Sequence, residues 1–354
     1  KEAPLFYIGP MNATISGNTL EGPRIRAGGM TTAWLNPHLF GKGYIAYGFK
    51  DERLKGLAEV EYSFKKKKEY ANEFPIHSLK VRYESDVNQY GQNYLYTSKD
   101  NVFLALKREK DDRIGYYRQT EMTYTNEFYS GFSFQLTARR RTDESSYLIP
   151  FLRKDGEAYS PVKDFSTSAA ELKLRYAPNE KFFQTQWNRF PVSLDAPVFT
   201  LSHTIAGKGV LGSDYTYNHT EAGIQKRWFS AFGYTDIILK AGKVWDKVPF
   251  PLLIMPNANL SYTIQPESYS LMNAMEFMND EYFSWDVTYF LNGWLFNRIP
   301  LLKKLKWREI VSCRGLYGHL SDKNNPDMTD GLFAFPIAST RTMGKTPYVE
   351  AGVG

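Results

Sequence analysis

Side-chain polarity alternates with a period of two residues along much of this chain. Successive side chains on a β-strand point to opposite faces. Segments 57–66, 77–86 and 131–141 each place apolar residues on one face and charged or hydroxyl residues on the other. The pattern recurs at 171–176 and 283–289. A helix needs apolar positions three and four residues apart, which these segments lack. The alternation therefore predicts an all-β antiparallel protein.

Composition indicates what covers the apolar faces of these strands. Apolar residues make up 42% and the mean hydropathy is -0.46, so no stretch approaches the roughly 18 apolar residues of a spanning helix. Aromatic residues reach 16%, with 25 Tyr, and such side chains are enriched where a membrane meets water. Only Asp100–Lys107 is predicted as a helix, with Asp100 as its cap. Lipid is the predicted cover; the alternative is a soluble antiparallel sheet with one face on a protein core.

The alternation predicts one closed transmembrane antiparallel β-barrel of about 14–16 strands, occupying 1–354 as a single domain in an outer membrane. Fourteen segments are predicted as strands: 24–34, 43–51, 57–66, 76–86, 115–125, 131–141, 168–177, 196–206, 217–229, 233–244, 270–279, 283–291, 307–318 and 346–354. Connections 178–195 and 319–345 are too long for short turns, so further strands are expected at Phe182–Arg189 and Leu332–Ser339.

Net charge, cysteine content and the first residues limit which partners, disulfides and targeting signals the sequence predicts. The net charge of +6 is spread through the predicted strands, so no nucleic-acid partner is expected. The single Cys313 rules out an internal disulfide. No signal peptide begins at Lys1, although an outer-membrane protein requires one, so the sequence is expected to be a mature fragment.

The sequence predicts no catalytic residue, metal site or cofactor. The five histidines have no metal-binding spacing; they are His38, His77, His203, His219 and His319. A Ser/His/acid arrangement assembled from distant strands is an alternative, because its members need only be neighbours in space.

Two basic runs have competing interpretations. Lys65–Lys68 is interpreted as a solvated strand end in preference to a lipid-phosphate contact. The run "IPLLKKLKWRE" at 299–309 suits an amphipathic segment at a membrane surface or a plain lead-in to a strand, and the residues favour neither.

Three long motifs carry a family resemblance. They are "GNTLEGPRIRAGGMTTAWLNPHLFGKGYIAYGFKDERLKG", "YSLMNAMEFMNDEYFSWDVTYFLNGWLFNRIPLLKKLKWREIV" and "TPYVEAGVG". With them the chain resembles, along nearly its whole length, an uncharacterised outer-membrane family. Its members carry an N-terminal carboxypeptidase-regulatory-like domain before a barrel distantly related to the BamA and TamA insertases.

The resemblance implies a non-enzymatic, insertase-like protein that assists assembly or translocation of proteins or lipids at the outer membrane. Implied partners are outer-membrane lipids and client outer-membrane proteins or periplasmic factors. It also implies an upstream periplasmic domain and closing C-terminal residues outside this sequence. The insertases' Arg-Gly-aromatic loop tip has no counterpart in 246–267, which contains no Arg; Arg314–Tyr317 is assigned to the barrel wall. Alternatives are a channel or gated transporter for small solutes, and a membrane-embedded hydrolase.

Segment 246–267 is predicted to be a loop packed inside the lumen. It combines an apolar core with several prolines, which suits a packed loop better than a solvated one. The candidate residues of this lumen loop are Pro249, Pro251, Pro256 and Tyr262.

A lateral seam is predicted where the first strand, near Arg24 to Trp34, meets a closing strand that follows or includes Pro347–Gly354. Glycine in a strand interior weakens pairing, and this junction is the one register that no hairpin fixes. The seam candidates are Gly28 and Gly29 on the first strand and Gly352 and Gly354 on the last.

Overall fold

The computed structural model describes residues 4–354 apart from 96, 186–187, 193–195 and 295. Strands dominate it. In chain order they are β1 Phe6–Ile8, β2 Ile15–Asn18, β3 Gly22–Thr31, β4 Leu39–Gly48, β5 Leu54–Ser63, β6 His77–Gln89, β7 Ile114–Glu127, β8 Phe132–Glu144, β9 Phe151–Asp155, β10 Ala158–Val162, β11 Asp164–Tyr176, β12 Phe182–Gln184, β13 Arg189–Pro191, β14 Val198–Ala206, β15 Tyr217–Ser230, β16 Gly233–Val244, β17 Glu281–Phe290, β18 Ile310–His319 and β19 Tyr348–Val353.

Helices are short. Two are α-helical, α1 Val102–Ala105 and α2 Pro300–Leu305. Single 3-10 turns occur at Met11–Ala13, Val210–Gly212, Phe250–Leu252, Phe296–Arg298 and Asp322–Asn324. Among the described residues no helix is long and apolar enough to cross a membrane.

One antiparallel sheet of 15 strands forms the body of the protein. Its order is β1-β3-β4-β5-β6-β7-β8-β11-β14-β15-β16-β17-β18-β19, and β2 also pairs with β3. β1 and β2 pair with successive parts of β3 on one side, so the 15 strands occupy fourteen positions. β9 with β10 and β12 with β13 form separate hairpins in the connections. The prediction of an all-β antiparallel protein is confirmed.

Every predicted strand but one overlaps a strand of this sheet. The exception, 270–279, is an irregular loop segment, so that prediction was wrong. Its Met272, Met275 and Met278 are buried among other loops. The apolar residues of this segment therefore reflect burial and not strand pairing. Without this strand, 319–345 connects two strands at the end of the sheet where long loops are expected, and its length needs no further strand.

The two extra strands were also wrong as barrel elements. Phe182–Arg189 contributes to the small β12–β13 hairpin outside the main sheet, and 186–187 lie outside the described residues. Leu332–Ser339 forms only one bridge, from Phe333 to Arg153. The true first strand has no alternation signal in the sequence, because Pro10 and a 3-10 turn divide it into β1 and β2, each too short to show the pattern.

The two faces of the sheet differ in polarity as predicted. On the outer face Val60, Val81 and Met122 lie in register across three strands, each about half exposed. On the inner face Glu59 and Arg82 are paired at 4.0 Å. An apolar row open to its surroundings and a charged row turned inward are typical of a wall between lipid and water.

Four long connections meet at one end of the sheet, which we call the long-loop end: 90–113, 145–163, 245–280 and 320–347. They have a hydrophobic core of their own. Phe151 stacks on Phe333 with ring centroids 5.1 Å apart, and Phe250 and Met278 belong to the same cluster, which we call the loop core. The long connections therefore pack against one another at one end of the sheet, in addition to the hydrogen bonds between its strands.

Replacing Phe151 tests this loop core. Phe151→Ala removes a fully buried ring, so we expect a loss of about 3–5 kcal/mol in the free energy of unfolding and faster protease cleavage within 145–163. Denaturant unfolding and timed proteolysis measure both. Phe183→Ala, at a 60% exposed ring, is the matched control and should change stability by no more than about 0.5 kcal/mol. Equal stabilities of the two variants would contradict the loop core.

Candidate functional site

A cluster of buried charges lies on the inner face where β3 faces β6. The Arg24 guanidinium is fully buried and contacts Asp86 at 2.7 Å and Glu21 at 2.8 Å. Tyr44 also donates its hydroxyl to Asp86. Burying charges is costly unless each has a partner, so this cluster fixes the geometry of the wall at this point.

The same cluster holds connection 90–113 against the wall. Asp100, from this connection, lies 3.3 Å from Arg24 and 2.7 Å from Arg26. Asp100 was predicted to cap the helix, and that was wrong: the Asn101 side chain accepts from the Phe103 N–H at 3.1 Å. Asn is a preferred cap, and it leaves Asp100 available for the arginines. Helix α1 then packs against β2.

Connection 245–280 packs on the inner side of the last strands. Ser270 and Leu271 donate their backbone N–H groups to the Glu350 carboxylate at 2.8 and 2.6 Å. The Tyr269 hydroxyl donates to the Gly315 carbonyl at 2.9 Å, and Arg314 donates to the Ser268 carbonyl at 3.0 Å. Strands β18 and β19 thus hold connection 245–280, in the same way that β3 and β6 hold connection 90–113.

The lumen-loop candidates occupy different environments within this connection. Pro249 and Pro256 are buried and Pro251 is half-buried. Tyr262 is 76% exposed, as is its neighbour Ile264 at 85%. The prolines therefore belong to the packed part of the connection, and Tyr262 to its exposed tip.

The two connections are joined to each other. Lys107 and Ser261 form an antiparallel bridge, the Arg108 N–H donates to the Leu260 carbonyl at 2.8 Å, and the Arg108 guanidinium donates to the Met272 carbonyl at 2.9 Å. Segments 100–108 and 259–271, which we call the loop bridge, therefore run from β2 and β3 at one edge of the sheet to β19 at the other.

Lys107 stabilises the joint of the loop bridge. Its ammonium donates to the Tyr94 hydroxyl at 2.8 Å and to the Gln92 amide oxygen at 3.0 Å. Burial lowers the pKa of the Lys107 ammonium, and the nearby Asp111 carboxylate works against that shift. The joint is polar and partly shielded from water. Separating the two connections would therefore expose polar groups that are hydrogen-bonded in this structure.

The first edge of the sheet is not at the strand that carries Gly28 and Gly29, where the sequence predicts it. β3, which carries Gly28 and Gly29, has β4 on one side and β1 and β2 on the other, so placing the first strand at 24–34 was wrong. The backbone approaches closely here: a Cβ added at Gly29 would lie 2.5 Å from the Tyr7 carbonyl oxygen. Both glycines therefore permit tight pairing, and the Gly28 carbonyl accepts from the Gly9 N–H at 2.9 Å.

The last strand does form an edge. Gly352 lies in β19 opposite Ser312, and Gly354 extends the ladder by exchanging two backbone hydrogen bonds with Ile310. Among the described residues no backbone hydrogen bond joins β19 to β1 or β2. The predicted closure of the barrel is therefore not met by strand pairing among the described residues, and the edges are linked by the loop bridge instead.

Apolar side chains project from the loop bridge. Phe103 in α1 is 64% exposed, Leu106 directly after α1 is 68% exposed, and Leu271 beside β19 is 72% exposed. Soluble proteins rarely leave clustered large apolar side chains uncovered unless a partner meets them. With Tyr262 and Ile264, they give the bridge between the two edges an apolar surface.

In the part of the chain that the structure describes, no group of three or more His, Cys, Asp or Glu is placed to hold a metal. His219 lies on the inner face stacked on Tyr217. His203, on the outer face, is 2.9 Å from the Thr220 hydroxyl through Nδ1. Among the described residues no carboxylate hydrogen-bonds His203, so this pair lacks the acid of a catalytic triad.

The basic runs have separate structural roles. Residues 300–305 form helix α2 with exposed Leu301 and Leu305, so the amphipathic interpretation is the one that fits the backbone there. In the other run Lys67 is buried, and its ammonium donates to the Pro75 carbonyl at 3.0 Å. The interpretation of that run as wholly solvated was wrong at Lys67, because the connection folds back over it.

These features define a class of protein: an all-antiparallel sheet with an apolar outer face, ion pairs on its inner face, and two connections packed inside. Residues 1–324 match the model of a family of unknown function described as the DUF5686 C-terminal domain, and the chain belongs to that family. Among curated proteins no match is found. One similar solved structure is OmpT (in-vitro folded), an outer membrane protein of Vibrio cholerae, at 9% identity and a TM-score of 0.32, covering 89% of this chain and 83% of that one.

The Arg24 cluster can be tested by removing its central charge. Arg24→Ala leaves Glu21 with Lys55 and Asp86 with Lys99 as remaining partners, but removes the guanidinium that joins both carboxylates to Asp100. We therefore expect a loss of about 2–3 kcal/mol in the free energy of unfolding, with faster proteolysis of 90–113. Arg53→Ala, which removes a half-exposed ion pair with Glu144, should cost at most about 1 kcal/mol. Unchanged protection of 90–113 in Arg24→Ala would show that the cluster does not hold this connection.

Proposed function

We propose that this chain is a non-enzymatic outer-membrane β-barrel of insertase-like type, which assists the assembly or translocation of proteins or lipids through an opening between β1–β2 and β19. Its partners in this proposal are outer-membrane lipids and client outer-membrane proteins or periplasmic factors. An upstream regulatory-like domain, related to that of the carboxypeptidases, forms part of the proposal. The observation that carries it is the pair of sheet edges linked by loops.

The outer face supports the membrane location. Large apolar side chains are exposed on successive strands, among them Ile45, Val60, Val81, Leu136 and Leu201. Soluble monomers rarely expose large apolar side chains on one strand after another in this way. A hydrocarbon layer covers such a face favourably, and between the two edges the polar groups of the strand backbones are satisfied within the sheet.

The open edges support the insertase-like mechanism. An unpaired strand edge presents a row of N–H and C=O groups that pair readily with another strand. Extended segments of a partner bind such an edge by strand addition, with backbone hydrogen bonds supplying affinity. A client strand entering between β1–β2 and β19 would also meet Phe103, Leu106 and Leu271 of the loop bridge.

A channel or gated transporter is the second candidate, and the charged inner wall favours it. Ion pairs such as Arg82 with Glu84, at 2.6 Å, line the inner face. Connections 90–113 and 245–280 occupy the interior beside them, which would limit the passage of solutes. In planar bilayers we therefore expect conductance well below that of an open pore of this strand number.

The membrane location predicts heat-modifiable migration. The purified protein should require detergent for solubility and should migrate differently on a gel before and after boiling, because the folded barrel resists the detergent at room temperature. Cell fractionation should place it with the outer membrane. A monomer that stays soluble without detergent would contradict the barrel and with it the proposed function.

A reversible cross-link across the loop bridge tests the opening. Lys107 and Ser261 face each other in an antiparallel bridge, and residues so paired lie close enough for a disulfide. In proteoliposomes of Cys313→Ser protein, we expect faster folding of a small eight-stranded barrel client than in empty liposomes. With Lys107→Cys and Ser261→Cys added, oxidation should abolish that acceleration and a reductant should restore it.

A second cysteine pair serves as the control for this cross-link. Thr123 and Thr137 lie opposite each other on β7 and β8, with hydroxyl oxygens 3.4 Å apart. The two strands are adjacent within the wall and need not separate, so oxidising Thr123→Cys with Thr137→Cys should leave client folding unchanged. Full acceleration by the oxidised loop-bridge variant would overturn lateral opening and favour a fixed wall.

A further inference from the structure

The outer wall carries a groove across β14 to β17. Its volume is about 500 Å³. The floor is formed by Ala222 and Ala241, which are opposite each other on β15 and β16. In the same row Leu201 on β14 and Phe283 on β17 rise on either side. Two small side chains between two large ones therefore create a trough in the apolar outer face.

The neighbouring row of outer side chains contributes to the same groove. Phe199, Ile224 and Leu239 are in register across β14, β15 and β16, and all three border the trough. The surface that the groove exposes is almost wholly apolar. A slender hydrocarbon chain is the ligand whose shape and polarity fit it.

Polar groups adjoin the groove toward the long-loop end. His203, Thr220, Lys243 and Glu281 are opposite one another on β14 to β17, two residues along each strand from the row that holds Ala222 and Ala241. At about 3.4 Å per residue, the polar row lies about 7 Å from the floor of the groove. Apolar and charged binding surfaces are thus within reach of one small amphiphile.

The polar row carries two opposite charges that solvent reaches. The Lys243 ammonium is 2.8 Å from the Glu281 carboxylate, and the side chains are 43% and 42% exposed. Trp245 covers one side: its Nε1–H donates to the Thr220 hydroxyl at 2.9 Å, and the Lys243 ammonium lies 5.0 Å from its ring centre. The ammonium and the carboxylate each keep room for a further partner of opposite charge.

We propose that this groove and polar row bind one phospholipid with a zwitterionic phosphoethanolamine headgroup. The acyl chain lies along Ala222 and Ala241, the phosphate accepts from Lys243, and the headgroup ammonium meets Glu281. Two opposite charges side by side complement a headgroup that carries both, whereas a purely anionic headgroup satisfies only one of them. This site rests on the proposed membrane location.

Filling the groove tests the acyl-chain site. Protein in detergent is titrated with phosphatidylethanolamine and bound lipid is counted by native mass spectrometry. Ala222→Phe should raise the dissociation constant of the tightest-bound lipid at least about tenfold, and Ala241→Phe should do the same by an independent change. Ala58→Phe makes the identical replacement at an exposed outer-face position of β5 outside the groove and should bind as the parent does. Equal binding by all three variants overturns the proposal.

The headgroup is tested by changing lipid and protein in parallel. Lys243→Gln should weaken both phosphatidylethanolamine and phosphatidylglycerol, whereas Glu281→Gln should weaken only the former. Diacylglycerol, which has no phosphate, should bind weakly to the parent. Binding of diacylglycerol as tight as that of phosphatidylethanolamine, or no effect of Lys243→Gln, overturns the site. Heat-modifiable migration of each variant shows that the barrel persists, so failure here is distinguishable from failure of the membrane location.

Discussion

Backbone hydrogen bonding is the constraint on which the rest of this structure depends. Each strand carries N–H and C=O groups on both sides, and leaving them unpaired in a dry environment costs several kcal/mol per group, on the order of the water-to-hydrocarbon transfer of an amide. In the described part of the chain the ladder runs without interruption from β1 to β19 and ends at two edges. The position of those edges determines where a partner strand can add.

The interior is organised by paired charge. Arg24 ties β3 to β6 and, through Asp100, to connection 90–113, while Glu350 ties connection 245–280 to β19. The joint at Lys107 and Ser261 then links the two connections. Because buried ionic groups tolerate little displacement, this chain of contacts holds the two edges in a defined relation that the ladder alone does not provide. The exposed apolar residues of the loop bridge lie along that path.

The outer face of the sheet differs from the inner face, because side-chain size and polarity vary locally within a mainly apolar surface. Most outward positions are large and apolar, but Ala222 and Ala241 lower the surface and Lys243 and Glu281 add charge next to it. A wall that only had to be soluble in lipid would need neither feature. In the proposed phospholipid site this combination gives one part of the outer face its binding character, on the opposite face of the sheet from the loop bridge.

Alternation in the sequence by itself determined the all-β class, most strands and the two faces, because side-chain direction in a strand is a local property with a period of two. It failed at 270–279, where methionines buried among loops imitate a strand, and at β1 and β2, where Pro10 divides the pattern. Only the tertiary structure decided the edges, the loop bridge, the Arg24 cluster and the groove. Each depends on residues far apart in the chain, such as Arg24 with Asp100 or Ala222 with Phe283, whose proximity follows from strand register and loop packing, and neither is encoded in local periodicity.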